Sequence, residues 1–231
     1  MFQTDPFSLI VLLIGMALVP FLAMIATSYL KIVVVMSLIR NALGIQSIPP
    51  NMVINALALI LTMYIMAPVV GESWETLRED MKEYRSEGAK TSVADRVFES
   101  DVALKAAEPF RGFLRKHTDE KQIAFFVRTA EKLWATKGED GEEVPAVVEP
   151  ESFFVLIPAF CVSELTRAFQ IGFLVYLPFI AIDIIISNIL LAMGMMMVSP
   201  VTISLPFKLL LFVIVNGWTL LIQGLVQSYM L

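Results

Sequence analysis

The uncharged stretch from Ile184 to Phe207, IIISNILLAMGMMMVSPVTISLPF, decides the fold class of this chain. It is long enough to cross a bilayer, because about 20 helical residues span a hydrocarbon layer of about 30 Å. A glycine at position 194 lies among four methionines, and Ser199-Pro200 then ends any regular helix. The methionines are Met193, Met195, Met196 and Met197. The pattern predicts a soft loop or helix end, although methionines of a packed core or a lipid-facing surface would give the same residue types.

The composition is typical of an integral membrane protein. Of the 231 residues, 57% are hydrophobic, and the mean hydropathy is +0.75. The net charge of −5 provides no basic surface, so nucleic acid is not a predicted partner. One cysteine, Cys161, excludes an internal disulfide, and one histidine, His117, argues against a histidine metal site or a Ser–His catalytic pair. We therefore predict no catalytic residue, no metal ligand and no cofactor.

The charged residues divide the chain into two apolar blocks around a polar insert. Between Glu72 and Glu151 lie 19 acidic and 13 basic side chains, and few charges lie elsewhere. This distribution predicts an N-terminal apolar helical hairpin over 1–71 and a soluble helical insert over 72–135. An acidic flexible linker over 136–151 and a C-terminal helical hairpin with the methionine-rich loop over 152–231 complete the chain.

Glycine, proline and capping residues predict where the helices begin and end. Pro68 and Gly71 are predicted to end the second apolar helix. Within the insert, Pro109 suits the first turn of a helix, and Asp119 with Gln122 resembles a capping box at the start of the next one.

The few basic residues of the first apolar block predict the orientation of the chain. Lys31 and Arg40 lie near the turn of the first hairpin and favour its placement on the cytoplasmic side. The insert is then expected on the opposite side of the membrane.

Five charged residues interrupt the apolar blocks and need partners. They are Lys31, Glu164, Arg167, Asp183 and Lys208. Glu164 and Arg167 are three residues apart, so they share a helix face and can neutralise each other. Burying Asp183 costs about 2.5–3.5 kcal/mol, so it should find Lys208, Arg167 or Lys31, in this subunit or in a neighbour. A static ion pair and a proton relay are both open for this carboxylate.

A long C-terminal string, LPFIAIDIIISNILLAMGMMMVSPVTISLPFKLLLFVIVNGW, closely resembles the signature of the FliP/SctR family of type III secretion export-apparatus components. The segments SYLKIVVVMSLIRNALGIQSIPPN, FLRKHTDEKQIAFF and FCVSELTRAFQIGF are similar to blocks of that family, in the family's order. The resemblance covers nearly the whole chain. It implies an all-α membrane protein of bent helical hairpins, with a small helical extracytoplasmic insert, that assembles into a helical channel cone.

The resemblance also implies partners and a location. Several copies, thought of as five, would wind together with S and T subunits resembling flagellar FliQ and FliR. Export gate and switch proteins of the apparatus would be further partners, and unfolded proteins would be the substrates. The complex would lie in the bacterial inner membrane and partly at periplasmic level, with the insert on the periplasmic side.

The resemblance assigns a channel gate to the methionine cluster. The family's methionine-rich loop closes the channel, and its motif falls here on Met195, Met196 and Met197, with Met193 and Gly194 beside them. Ser199 and Pro200 would act as the hinge of this loop. The five charges of the apolar blocks would be buried against protein and pair between subunits.

Two further considerations bear on function. Flagellar members typically begin with a cleaved signal peptide, and the first residues here lack its positive region, which favours the virulence (injectisome) branch. A stand-alone ion-coupled transporter using Asp183 or the Glu164–Arg167 pair is the alternative, although the two apolar blocks show no inverted repeat.

Overall fold

Helices make up almost all of the described chain. The computed structural model describes residues 6–45, 48–86, 100–137, 143–195 and 197–230. The helices are α1 (Pro6–Ile25), α2 (Tyr29–Ala42), α3 (Asn51–Ser86), α4 (Ser100–His117), α5 (Glu120–Leu133), α6 (Phe153–Ala192), α7 (Pro200–Ile214) and α8 (Gly217–Gln227). Two short antiparallel strands, β1 (Thr136–Lys137) and β2 (Glu143–Val144), pair within the predicted linker, of which residues 138–142 lie outside the description.

Among these helices, two are long and apolar enough to cross a membrane by themselves. They are α3 over Asn51–Asp80 and α6 over Phe153–Ala192. Two bent pairs, α1 with α2 and α7 with α8, would raise the number of spans to four if each pair counts as one. The prediction of an all-α membrane protein is confirmed.

Two predicted helix boundaries are wrong. Helix α3 continues through Pro68 and Gly71 to Ser86, and α4 begins at Ser100, which leaves Pro109 inside it. A proline removes one backbone hydrogen bond and a glycine costs about 1 kcal/mol, and a long helix has enough other bonds and contacts to tolerate both. Asp119 is the N-cap of α5, since its carboxylate accepts a hydrogen bond from the Lys121 backbone N–H at 3.0 Å. The reciprocal bond of a capping box is not made by Gln122, because the Asp119 N–H donates to Ser163 Oγ at 3.0 Å.

The chain divides into two compact units. The first unit comprises Met1–Ser28 and Met66–Ser163, and the second comprises Tyr29–Ile65 and Glu164–Leu231. The domain bounds given by the charge distribution stay a prediction.

Helix α2 lies at the centre of the second unit. Its residues Ile32, Val35, Met36 and Ile39 recur at helical spacing, and each is at most 1% exposed. They form one core with buried residues of α3, α6, α7 and α8. The methionine-rich loop, which joins α6 to α7, belongs to this second unit.

A sharp bend separates α7 from α8. Asn216 adopts a left-handed conformation with φ 52°, and the two helices are bent by 59°. Gly217 follows immediately, and a Cβ atom there would lie 2.3 Å from the Phe212 ring. Only glycine therefore lets α8 begin so close to the buried Phe212 side chain.

Gly217→Ala is expected to lower the free energy of unfolding by about 1–3 kcal/mol, because the added methyl group overpacks the contact with Phe212. Gly224→Ala is the matched control in the same helix, since its Cβ would meet nothing within 4 Å. We expect this control to be neutral, or more stable by up to about 1 kcal/mol, because alanine favours a helix. Denaturation of both variants in detergent checks the prediction, and equal stabilities would contradict it.

Candidate functional site

The methionine-rich loop begins at a defined helix end. Gly194, with φ 71°, donates its N–H to Leu191 O, and the N–H of Met195 bonds Leu190 O at 2.9 Å. These paired bonds form a Schellman motif, in which glycine supplies the left-handed residue that ends a helix. The methionine cluster, predicted as a soft loop or helix end, thus begins at a capped helix end.

The loop closes on the other side at Ser199-Pro200. Ser199 is the N-cap of α7, and Pro200 occupies the first helical turn, where its fixed φ and missing N–H are tolerated. The Ser199 side chain makes no capping hydrogen bond. The sequence predicts that Ser199-Pro200 ends the preceding helix, but α6 already ends at Ala192 and Pro200 begins α7.

The methionine side chains of this loop are exposed. Met193 is 66% exposed, Met195 41% and Met197 101%. Met196 lies outside the described residues. Flexible, polarisable thioether side chains that are exposed together form an apolar surface able to adapt its shape to a partner.

A first cluster of charges surrounds Glu164, whose side chain is fully buried. Lys31 Nζ lies 3.2 Å from Glu164 Oε2, and Arg167 Nη1 donates to Oε1 at 3.1 Å. The hydroxyl of Tyr229 donates to Oε2, and its ring lies 3.5 Å from Lys31 Nζ. The cluster thus joins α2, α6 and the residues just after α8 through one carboxylate.

Lys31 and Arg167 both pair with Glu164 in this first cluster. Lys31 is only 1% exposed, whereas Arg167 is 40% exposed. A buried ammonium is stable only when it is paired, so Lys31 depends on Glu164.

A second cluster joins α6 to α7 at Asp183. Lys208 Nζ lies 2.6 Å from Asp183 Oδ2, and the Ser204 hydroxyl donates to Oδ1 at 2.5 Å. Lys208 also donates to the backbone oxygen of Ala42, at the end of α2, at 3.3 Å. Lys208, Arg167 and Lys31 were the predicted candidate partners of Asp183, and the structure places Lys208 beside it within the same chain.

Residues 12–225 match the model of the FliP family. The chain belongs to the FliP family. It is 49% identical over 227 residues to "Yop proteins translocation protein R" of Yersinia pestis, a match that covers 97% of both chains. It is 46% identical over 222 residues to "Hypersensitivity response secretion protein HrcR" of Ralstonia nicotianae, with 96% of each covered. "Virulence protein YscR" of Salmonella typhimurium is 45% identical over 229 residues, with 97% of each covered.

Membership in the FliP family confirms the resemblance found in the sequence. The relatives are named for secretion and virulence, in agreement with the injectisome branch. A FliP-family chain with these apolar helices is a membrane component of a type III secretion apparatus, which has several subunits, and the family is not a class of enzymes.

Two residues of the charge clusters are not apparent in the sequence of this FliP-family chain. Tyr229 lies 65 residues from Glu164, and no local pattern connects them. Ser204 precedes Lys208 by one helical turn, so both lie on one face of α7. This spacing is the sequence signal that could have placed Ser204 beside the partner of Lys208. The described residues also contain no group of three or more His, Cys, Asp or Glu side chains that could hold a metal ion.

Proposed function

We propose that this chain is a core subunit of the export gate of a type III secretion apparatus. Copies of the chain, five by analogy with the family, form a channel with S-type and T-type partners, close to export gate and switch proteins. Unfolded proteins pass through this channel across the bacterial inner membrane. The methionine-rich loop seals the channel when no substrate is present.

The exposed methionines of the loop are the observation that carries the proposal. Met193, Met195 and Met197 are exposed on a short loop between the end of α6 and the start of α7. Several copies of that loop around an axis would form an apolar constriction, which excludes ions by excluding water. Unbranched thioether side chains also deform around a passing polypeptide of any sequence and close again afterwards.

The second unit also presents apolar surface for neighbouring subunits. Phe169, Phe173 and Leu177 recur every four residues along α6, and they are 58%, 62% and 44% exposed. Residues four apart lie on one helix face, so these three form a continuous apolar stripe. Such a stripe supports burial against other copies or the S-type and T-type partners as well as against lipid.

The membrane placement follows from the charges. Lys31 and Arg40 lie on α2, before the first turn, which favours a cytoplasmic turn and a periplasmic insert over residues 72–135. Part of the assembled channel lies at periplasmic level, where the charged clusters are covered by protein rather than by lipid.

Replacing Met195, Met196 and Met197 together by alanine is expected to raise ion leakage through the assembled apparatus several-fold, because the constriction widens and becomes wet. The measurement is potassium efflux from liposomes that contain the purified assembly. Triple replacement of Met52, Met63 and Met230 by alanine is the matched control, since these methionines are also exposed but lie on other segments. We expect this control to leak no more than the parent.

Native mass spectrometry of the same preparations counts the subunits and identifies the partners. An assembly of several copies with unchanged leakage in the loop variant would contradict the seal. A chain that stays a single subunit would contradict the channel itself and favour the transporter.

A further inference from the structure

Asp183, Ser204 and Lys208 fix the helices on either side of the methionine loop in one register. Ser204 and Lys208 lie on successive turns of α7, and each donates to a different oxygen of the same carboxylate on α6. Sliding α7 along α6 by one turn, about 5.4 Å, would take the short Ser204 side chain out of reach of Asp183. The serine therefore sets the axial position of α7 more strictly than the long, flexible lysine does.

The three residues lie close enough to the loop to control it. Asp183 precedes the end of α6 at Ala192 by about 14 Å, and Lys208 follows the start of α7 at Pro200 by about 12 Å, at 1.5 Å per residue. Both segments between them and the loop are helical, and Pro206 lies between Ser204 and Lys208, so the part of α7 from Pro200 to Ser204 has no internal proline. The contacts at Asp183 therefore limit how far the two ends of the loop can move apart.

A third helix anchors this arrangement. The carbonyl of Ala42 belongs to the last turn of α2, where backbone oxygens lack intrahelical partners and favour a cation. Lys208 donates to it at 3.3 Å while it pairs with Asp183. Because α2 is the most deeply buried helix of the second unit, it gives α7 a fixed reference point.

We propose that Asp183, Ser204 and Lys208 form a latch that holds the methionine loop in its sealed position. The inference rests on the proposed function of the loop as the channel seal. Ser204 and Lys208 are positioning residues, since they act on the loop through α7 and do not contact a substrate. Opening the channel requires α7 to leave its register on Asp183, and breaking the latch lowers the cost of that movement.

Ser204→Ala tests the latch with the smallest possible change. It removes one buried hydroxyl and leaves the Asp183–Lys208 ion pair and the volume of the site nearly intact. The hydrogen bond from Ser204 to the charged Asp183 is made only in the sealed state, so its removal destabilises that state relative to the open one. We therefore expect potassium leakage through the assembly to rise about tenfold. The subunit number of the assembly is expected to match the parent.

Ser37→Ala is the matched control. The Ser37 hydroxyl donates to Val33 O within its own helix, at 2.8 Å, and so connects no two helices. Its removal is expected to leave leakage unchanged. A second variant, Asp183→Asn with Lys208→Met, removes both charges together, leaves no uncompensated ion, and is expected to leak at least as much as Ser204→Ala.

The triple alanine variant of the loop separates the two proposals. If that variant leaks while Ser204→Ala and the double variant match the parent, the latch is wrong and the seal stands. If none of the variants leaks, both are wrong. A Ser204→Ala chain that no longer assembles would show a structural role in place of a latch.

Discussion

Glu164→Gln is expected to lower the free energy of unfolding by about 3–5 kcal/mol, the largest effect of any single change at the charge clusters. The replacement keeps the shape of the side chain but removes the carboxylate that pairs with both Lys31 and Arg167. Lys31, which is 1% exposed, would then lose its carboxylate partner while Arg167 stays on the neighbouring turn of α6. If Lys31 keeps its proton, the folded state contains a buried charge without its carboxylate partner, and if it loses the proton, deprotonation costs free energy. The unfolded chain bears neither cost.

Because Lys31 and Arg167 share the Glu164 carboxylate, two further variants are informative. Lys31→Met should cost less than Glu164→Gln, because Arg167 still neutralises the carboxylate at 3.1 Å. Combining Glu164→Gln with Lys31→Met removes the uncompensated cation and should recover most of the stability. The measurement is equilibrium unfolding in detergent for all three chains. A double variant as unstable as Glu164→Gln alone would contradict the assigned dependence of Lys31 on Glu164.

Phe160→Ala is expected to cost about 3–5 kcal/mol, through the first unit rather than the second. The Phe160 ring is fully buried, and its centroid lies 5.8 Å from that of Phe113 in a tilted arrangement. Removing it leaves a cavity that its neighbours on the rigid helices can fill only in part. The effect is again measured by unfolding in detergent.

Phe154→Ala is the control for this prediction, because Phe154 lies on the same helix and is 79% exposed. It contacts Trp134 edge to face at 6.4 Å, so its loss should cost at most about 1 kcal/mol. Similar losses for the two variants would show that α6 is not held by the aromatic core around Phe160.

Local signals located the methionine loop and the start of α5. Gly194 in the left-handed region, Pro200 at the start of α7 and Asp119 as the N-cap of α5 act on backbone groups within a few residues of themselves. The same rules failed at Pro68, Gly71 and Pro109, because each cost there is small against the bonds and packing of the helix that contains it.

The sequence by itself determined the membrane class, the family, and the loop that carries the methionines. These follow from composition, from local backbone preferences and from the order of the motifs, none of which needs distant contacts. Only the tertiary structure decided that Asp183 pairs with Lys208 and Ser204, and that Tyr229 completes the cluster at Glu164. A buried charge is stabilised by whichever opposite or donor group folding brings within about 3 Å, and helix packing, rather than distance along the chain, selects that group.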